Sequence, residues 1–232
     1  MGSTRLPGKV LMDLAGDTVL ARVIERLRRA RSVHRVAVAT STASADDAVT
    51  LECERLGAEV FRGSEDDVLD RYSRAARAFS ADVVVRITAD CPLIEPEIVD
   101  RTVEAFLEQK PDYASNVLVR TYPRGLDTEV FTLQALERAN REASMKYERE
   151  HVTPYLYEHP ELFRLHSVTG DRNLASLRWT LDTQQDLDFV RSVYSRLSVA
   201  DFSWTDVLGL LEKEPELLGL NAGVQQKSMH QV

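Results

Sequence analysis

The stretch DVVVRIT at residues 82–88 decides the fold, because it is short, rich in valine and almost continuous in apolar side chains. Such a run is typical of a parallel β-strand that is covered on both faces. Apolar residues at helical spacing precede it over residues 66–79 and follow it over residues 96–108. The stretch is therefore predicted to be one strand in a regular alternation of strands and helices.

The alternation extends along most of the chain. It includes helices over 17–31, 46–56 and 184–197 and strands over 35–40, 58–61 and 177–181. Strands and helices that take turns form right-handed βαβ units, so this order predicts an α/β domain over residues 1–220. Residues 112–170 depart from the order and are predicted to form an irregular insertion, which contains a helix over 146–158. Residues 221–232 are interpreted as a polar tail.

The composition excludes several classes of protein. A net charge of −8 argues against a non-specific nucleic-acid binder. Two cysteines, Cys53 and Cys91, are too few for a disulfide framework or a zinc site. No stretch of sequence has the pattern of a secretory leader or of a membrane span. We therefore expect a cytoplasmic protein that has neither nucleic acid nor a membrane as its partner.

The first nine residues, MGSTRLPGK, have the composition of an anion-binding loop. Gly2 and Gly8 allow the backbone to approach a ligand closely. Arg5 and Lys9 supply a forked donor and a point charge, a pair that suits a polyphosphate. The spacing is not that of a Walker A loop, because five residues separate the glycines and neither Ser nor Thr follows the lysine. A polar terminal segment without a ligand is the alternative that this pattern leaves open.

Asp90 and Asp182 each stand just past the end of a predicted strand. Neither is needed as a helix cap, because Glu95 precedes a helix-initiating proline and Thr183 forms a capping box with Asp186. The carboxyl ends of parallel strands meet at one edge of a sheet, and ligands bind there. Two uncommitted carboxylates at that edge, beside the basic opening loop, predict a magnesium site for a bound triphosphate.

Three segments of the chain resemble the signature segments of the sugar-acid cytidylyltransferases. They are GSTRLPGK at 2–9, RITADCPLI at 86–94 and LDTQQDL at 181–187. FRGSEDDVLDRY at 61–72, YPRGLDTEVF at 122–131 and REHVTPY at 149–155 look most like the spore-coat polysaccharide branch. That branch is related to the synthetases of CMP-ketodeoxyoctonate and CMP-neuraminate. The resemblance implies a nucleotide-diphospho-sugar transferase fold, a Rossmann-like three-layer sandwich with a mainly parallel sheet and an irregular insertion.

The resemblance also implies an activity, in which CTP and a sugar acid give a CMP-sugar and pyrophosphate for a surface or spore-coat glycan. The residues that it implies are Arg5 and Lys9 on the phosphates, Gly2, Ser3, Thr4, Gly8 and Arg71 on the nucleotide, Asp90 and Asp182 on Mg²⁺, and Arg124, Glu129, Arg149 and His151 on the sugar acid. A homodimer is the expected assembly.

Several alternatives stay open beside this interpretation. The protein could be a nucleotidyltransferase of the same fold with another nucleotide or acceptor, or a homologue that binds nucleotide without turnover. For single residues, Arg71 also fits an ion-paired or solvent-facing arginine. His151 also fits a helix histidine that is hydrogen-bonded to Glu150 or to the backbone.

Members of that family carry an apolar strand and then typically Ala-Arg ahead of the opening glycine loop. We therefore predict that the genomic DNA upstream of Met1 encodes about ten in-frame, mostly apolar residues that end in arginine, the length of a strand and its turn. Sequencing that DNA checks the prediction. A stop codon directly ahead of Met1 would contradict it.

Overall fold

The computed structural model describes residues 2–197 and 201–227. Its strands are β1 (Asp13–Leu14), β2 (Asp17–Thr18), β3 (Ala37–Ser41), β4 (Glu59–Gly63), β5 (Val83–Arg86), β6 (Tyr113–Ser115), β7 (Glu129–Thr132) and β8 (Leu165–Ser167). Its helices are α1 (Val19–Leu27), α2 (Asp47–Arg55), α3 (Val68–Ala78), α4 (Pro96–Gln109), α5 (Leu133–Glu142), α6 (Lys146–His151), α7 (Pro154–Glu158), α8 (Gln184–Arg196) and α9 (Trp204–Lys213). Short 3₁₀ turns cover Lys9–Leu11, Ser44–Asp46 and Pro215–Leu220. The predicted alternation of strands and helices is confirmed.

Local side-chain chemistry sets where the helices begin. Glu95 is the N-cap of α4 and Pro96 stands in its first turn, as predicted. The Thr183 hydroxyl caps α8 by accepting from the Asp186 amide, and the Asp186 carboxylate completes the capping box, which is also as predicted. These two caps leave the aspartates upstream of them available for other partners.

The sheet is mixed rather than mainly parallel. β3 pairs in parallel with β4, and a second group runs in the order β5-β7-β6-β8. β7 lies antiparallel to both β5 and β6, whereas β6 and β8 are parallel. The segment 112–170 therefore contributes three strands to the sheet that contains β5. Pairing between strands that are far apart in the sequence has no local signal. The sequence pattern therefore predicted an insertion outside the sheet, although the segment supplies strands to it.

The predicted strand over 177–181 forms, within the described part of the chain, only one isolated bridge, between Arg178 and Arg124. Its amides donate to two different parts of the chain. The amide of Trp179 donates to the Arg124 carbonyl at 2.6 Å, and that of Leu181 donates to the Asp90 carbonyl at 2.8 Å. The segment thus makes no continuous ladder within the described residues, and it ties the loop after β5 to the loop that carries Arg124.

The predicted helix over 146–158 is divided into α6 and α7 at Val152. Pro154 has no amide proton to continue the helical ladder. Val152 adopts φ 74° and ψ −53°, and the Thr153 amide donates to the His151 carbonyl at 2.9 Å. These features define a γ-turn, a strained conformation for a buried β-branched residue. The turn sets the directions of the residues on either side of it.

Two large apolar clusters hold the elements together. One packs Trp179 and Phe189 against the side chains of α8 and α9, and the other packs Tyr113 and Phe131 against α5 and α7. The four aromatic side chains are almost fully buried. No helix in the described part of the chain combines the length and the apolar composition that crossing a membrane requires.

A cavity of about 410 Å³ lies between β3 and β5, and we call it the slot. Mainly apolar side chains line it, from both strands and from α1 and α3. Within residues 2–197 and 201–227, β3 pairs only with β4 and β5 pairs only with β7, so one edge of each strand has no ladder partner. One further strand placed in the slot would give both of these edges a ladder partner.

Candidate active site

The ammonium group of Lys9 lies between the two predicted carboxylates. Its Nζ donates to Asp90 Oδ2 at 2.6 Å, to Asp182 Oδ1 at 2.8 Å and to the Leu181 carbonyl at 2.8 Å. All three side chains are largely buried. The structure therefore brings together three of the residues that the sequence analysis selects, from the opening loop, the end of β5 and the segment before α8.

Two threonine hydroxyls fix the position of Asp90. The Thr88 hydroxyl donates to Asp90 Oδ1 at 2.6 Å, and the Thr180 hydroxyl donates to the Asp90 carbonyl at 3.3 Å. Gly8 adopts φ 69°, the left-handed region that favours glycine, and it opens the 3₁₀ turn that carries Lys9. The sequence thus positions the lysine through its glycine and Asp90 through two neighbouring hydroxyl groups.

Two arginines complete the surroundings of Asp182. Arg5 approaches Asp182 Oδ2 at 3.0 Å, and Arg178 donates to the same oxygen at 2.9 Å. Arg178 also binds both oxygens of Asp186, at 2.8 and 3.0 Å. We call these six residues the ion cluster: Arg5, Lys9, Asp90, Arg178, Asp182 and Asp186. Arg178 was not among the residues predicted from the sequence. The one sign of its role there is that a charged residue lies inside an apolar stretch.

The charges of the ion cluster balance, since three cations face three carboxylates. Burial alone would raise the pKa of Asp182, but Lys9, Arg178 and Arg5 outweigh it and hold that pKa below its ordinary value. Burial likewise opposes the charge on Lys9, yet the two carboxylates raise the pKa of Lys9 above its ordinary value. Asp182 is therefore ionised and Lys9 protonated at neutral pH.

The rest of the opening loop faces the chain's last described residues. Lys227 Nζ donates to the Thr4 hydroxyl at 3.2 Å, and Arg5 donates to the Gln225 carbonyl at 3.2 Å. Gly2 and Thr4 are exposed, and the Ser3 hydroxyl accepts from the Leu6 amide at 3.3 Å. The predicted nucleotide-binding backbone thus lies at the surface next to the ion cluster.

A second cavity of about 430 Å³ adjoins the ion cluster, and we call it the arginine cavity. Thr88, which donates to Asp90, is part of its wall. The charged or titratable lining residues are Arg86, Arg120, Arg124, Asp127, Glu129, His151 and Tyr157. Three of the four residues predicted to bind the sugar acid, Arg124, Glu129 and His151, therefore line one cavity beside the predicted metal ligands.

Glu129 and Arg120, two charged residues of this wall, already have ion-pair partners. Glu129 pairs with Arg86 and accepts from the hydroxyls of Tyr113 and Thr153, each at 2.7 Å. Arg120 forms a two-pronged pair with Asp127, at 2.6 and 2.8 Å.

Arg124 differs from the other two arginines of the wall. Across the described residues, its guanidinium has no hydrogen-bond or ion-pair partner. Burial lowers the pKa of Arg124, and the nearby Arg120 lowers it further. Arg124 is thus a half-buried cation at the wall of a cavity, with no ion-pair partner among the described residues.

The remaining predicted residues lie elsewhere. Arg149 donates to Asp67 and to Asn140 and also to the Ala143 carbonyl, so its guanidinium joins α6 to the start of α3 and does not line the arginine cavity. Arg71 donates to the Ser64 carbonyl at 2.6 Å and lines the slot. The structure does not bring these two arginines to the ion cluster.

The donor set of the ion cluster fits magnesium. Among the residues described here, no group of three or more His, Cys, Asp and Glu side chains is arranged to hold a metal. Mg²⁺ does not need such a group, because it is commonly bound by one or two carboxylates together with water and substrate phosphates. Asp90 and Asp182 offer two carboxylates that already converge on one cation, the ammonium of Lys9.

We expect the Arg178→Met variant to lose about 3 kcal/mol of unfolding free energy, because Asp186 is fully buried and would keep its charge without its partner. The pairing with Arg178 helps to lower the pKa of Asp186 in the folded state. Asp186 therefore stabilises the fold above its unfolded pKa of about 4, and this contribution is lost as the pH falls through the folded pKa. The difference between the two proteins should be largest at neutral pH and shrink on acidification.

Urea unfolding at several pH values measures this effect. Arg74→Met is the matched control, because Arg74 is exposed and lies 3.8 Å from Asp70. That substitution should cost less than about 0.5 kcal/mol. Equal losses in the two variants at pH 7 would contradict the role assigned to Arg178.

Known proteins resemble this chain over most of its length. A family model described as cytidylyltransferase matches residues 1–212. The spore coat polysaccharide biosynthesis protein SpsF of Bacillus subtilis is 32% identical over 224 residues, which cover 93% of this chain and 92% of that protein.

Two solved structures share the fold. A cytidylyltransferase from Leptospira borgpetersenii serovar Hardjo-bovis superposes with a TM-score of 0.90 and 35% identity, over 98% of this chain and 95% of that one. A CMP:2-keto-3-deoxy-manno-octonic acid synthetase complexed with CTP superposes with a TM-score of 0.64 and 19% identity, over 84% of this chain and 95% of that one. The predicted fold class is confirmed, and the chain belongs to the cytidylyltransferase family.

Proposed function

We propose that this protein transfers CMP from CTP to a hydroxyl group of a sugar acid and releases pyrophosphate, for the synthesis of a surface or spore-coat glycan. One observation carries the proposal: Thr88 lines the arginine cavity and donates to Asp90 of the ion cluster, so a triphosphate site would adjoin an acceptor site. The kinship with SpsF supports the glycan role, and the CTP complex of a protein with the same fold supports the nucleotide.

The opening loop serves the nucleotide. Arg5 and Lys9 would donate to the phosphate oxygens, and the backbone of Gly2, Ser3 and Thr4 would cradle the nucleotide. Asp90 and Asp182 would hold Mg²⁺. When bound, that ion neutralises charge on the triphosphate and acidifies a hydroxyl that approaches it.

The transfer is a displacement at the α-phosphorus. The acceptor oxygen forms a bond to that phosphorus as the bond from the phosphorus to the bridging oxygen breaks. Pyrophosphate leaves with the electron pair, and the hydroxyl proton passes to water. Arg5 and Lys9 would stabilise the charge that grows on the leaving group. Positioning and electrostatics supply most of the rate in reactions of this kind, and no side chain is assigned as a general base.

The arginine cavity serves the acceptor. Its volume of about 430 Å³ lies within the usual range for small-molecule sites. Arg124 forms no ion pair with any other described residue, and a guanidinium binds a carboxylate with two parallel hydrogen bonds. Glu129 and Asp127 are held in place by Arg86 and Arg120, so they can accept from sugar hydroxyls without moving. We therefore assign the acceptor carboxylate to Arg124.

Pyrophosphate release tests the reaction. With Mg²⁺, CTP and a panel of ulosonic acids, we expect turnover that falls at least about a hundredfold in Asp90→Asn and in Asp182→Asn, because each loses a charge that faces the metal. Asp188→Asn is the control, since Asp188 is exposed on α8 and hydrogen-bonds only Gln184 there.

The same assay separates the alternatives. Unchanged rates in both Asn variants would contradict the metal assignment. Turnover with another of the four nucleotides, or with a different acceptor, would favour a related nucleotidyltransferase. Calorimetric CTP binding without product over hours would favour a homologue that only binds.

The acceptor assignment has its own prediction. Arg124→Met should raise the KM for the sugar acid about a hundredfold and leave the KM for CTP unchanged, because only the acceptor loses its charged partner. Arg124→Lys should restore part of the loss, since an ammonium keeps the charge but not the paired hydrogen bonds. Steady-state kinetics with each substrate varied in turn measures both constants. An equal effect on the two KM values would count against this assignment.

A further inference from the structure

We infer that Lys9 occupies the position of the metal in the nucleotide-free protein and gives it up only when a triphosphate arrives. In this inference, free divalent cations are excluded from Asp90 and Asp182, and the metal enters together with the phosphates. The inference rests on the proposed function, since it concerns the same two carboxylates.

The geometry carries the first step. Lys9 Nζ is surrounded by Asp90 Oδ2, Asp182 Oδ1 and the Leu181 carbonyl, at 2.6, 2.8 and 2.8 Å. These are oxygen donors of the type that bind a hard cation. An ion that took the two carboxylate oxygens would have to lie where the ammonium lies. The two cations therefore compete for one position.

The charges of the ion cluster also disfavour a free metal ion. Asp182 already contacts Arg5 and Arg178 in addition to Lys9, and the ion cluster as a whole is neutral. A free divalent ion would bring two further positive charges into a partly buried, balanced site. Repulsion between close charges is strong at such a depth, because water screens it poorly. The free energy of binding of a free metal ion at this position is therefore small.

A triphosphate reverses this balance. Its oxygens offer Arg5 and Lys9 strongly negative partners outside the ion cluster, so both cations can turn from the aspartates to the phosphates. Lys9 is suited to the exchange, because its charge lies at the end of a flexible four-carbon stem. The carboxylates that it leaves then require a new cation, and the phosphates supply further ligands for one.

Metal binding without nucleotide tests the exclusion. Calorimetric titration of Mn²⁺ should show at least about tenfold tighter binding to Lys9→Met than to the natural protein, because the competing ammonium is absent. Lys213→Met is the matched control, since Lys213 is exposed on α9 and its loss changes the net charge equally. Binding by Lys9→Met that is no tighter than by the control would overturn the inference.

Crystals of the natural protein test the exchange without any variant, and they decide the question even if Lys9→Met does not fold. Soaked with Mn²⁺ alone, they should show no anomalous peak between Asp90 and Asp182. Soaked with Mn²⁺ and inorganic triphosphate, they should show the peak there, with Lys9 Nζ moved onto a phosphate oxygen. A peak with Mn²⁺ alone, or Lys9 unmoved beside a bound metal and triphosphate, would overturn the inference.

The choice of inorganic triphosphate separates this inference from the proposed function. If the predicted peaks appear but no nucleotide and sugar acid react, the proposed function fails and the exchange stands. If CMP transfer proceeds but Mn²⁺ binds equally with and without triphosphate, the exchange fails and the proposed function stands.

Discussion

One ammonium group, that of Lys9, joins three parts of the chain that are remote in sequence. It lies among oxygens from the loop after β5 and from the segment before α8, and it comes from the opening loop. A buried cation between two carboxylates is stable only when its partners are held firmly in place. The hydrogen bond from the Leu181 amide to the Asp90 carbonyl provides that constraint, because it fixes the two acidic segments against each other.

Two hydrogen-bonded networks extend from this point. One runs from Asp182 through Arg178 to the fully buried Asp186 and so connects the site to the first turn of α8. The other surrounds Glu129 in the arginine cavity and uses the hydroxyl of Thr153 beside the γ-turn at Val152. Backbone strain at such a turn persists only where the surrounding packing enforces it, and Val152 is completely buried. The first network holds Lys9 through Asp182, and the second lies in the cavity that Arg124 also lines.

The features that could be predicted from the sequence are those with local signals. Asp90 and Asp182 could be selected because proline and a capping box assign the nearby helix caps to other residues. The pairing of Arg178 with Asp182 and Asp186 could not, because an arginine within an apolar stretch has the same local pattern whether it is buried or exposed. The pairing of β6 and β7 in the sheet that contains β5 could not be predicted either, because their partner strands lie far away in the sequence. The break at Val152 had a local signal in Pro154, but the apolar spacing on both sides favoured a single helix.

The contacts of Gln225, Gln226 and Lys227 have a practical consequence. Gln225 accepts from Arg5, Gln226 accepts from Arg178, and Lys227 donates to Thr4. The last described residues therefore contact the opening loop. An affinity tag fused directly after Lys227 would therefore be attached beside the opening loop. Ligand affinities measured on such a fusion would include any competition from the tag, whereas removal of the tag by a protease would report the protein alone.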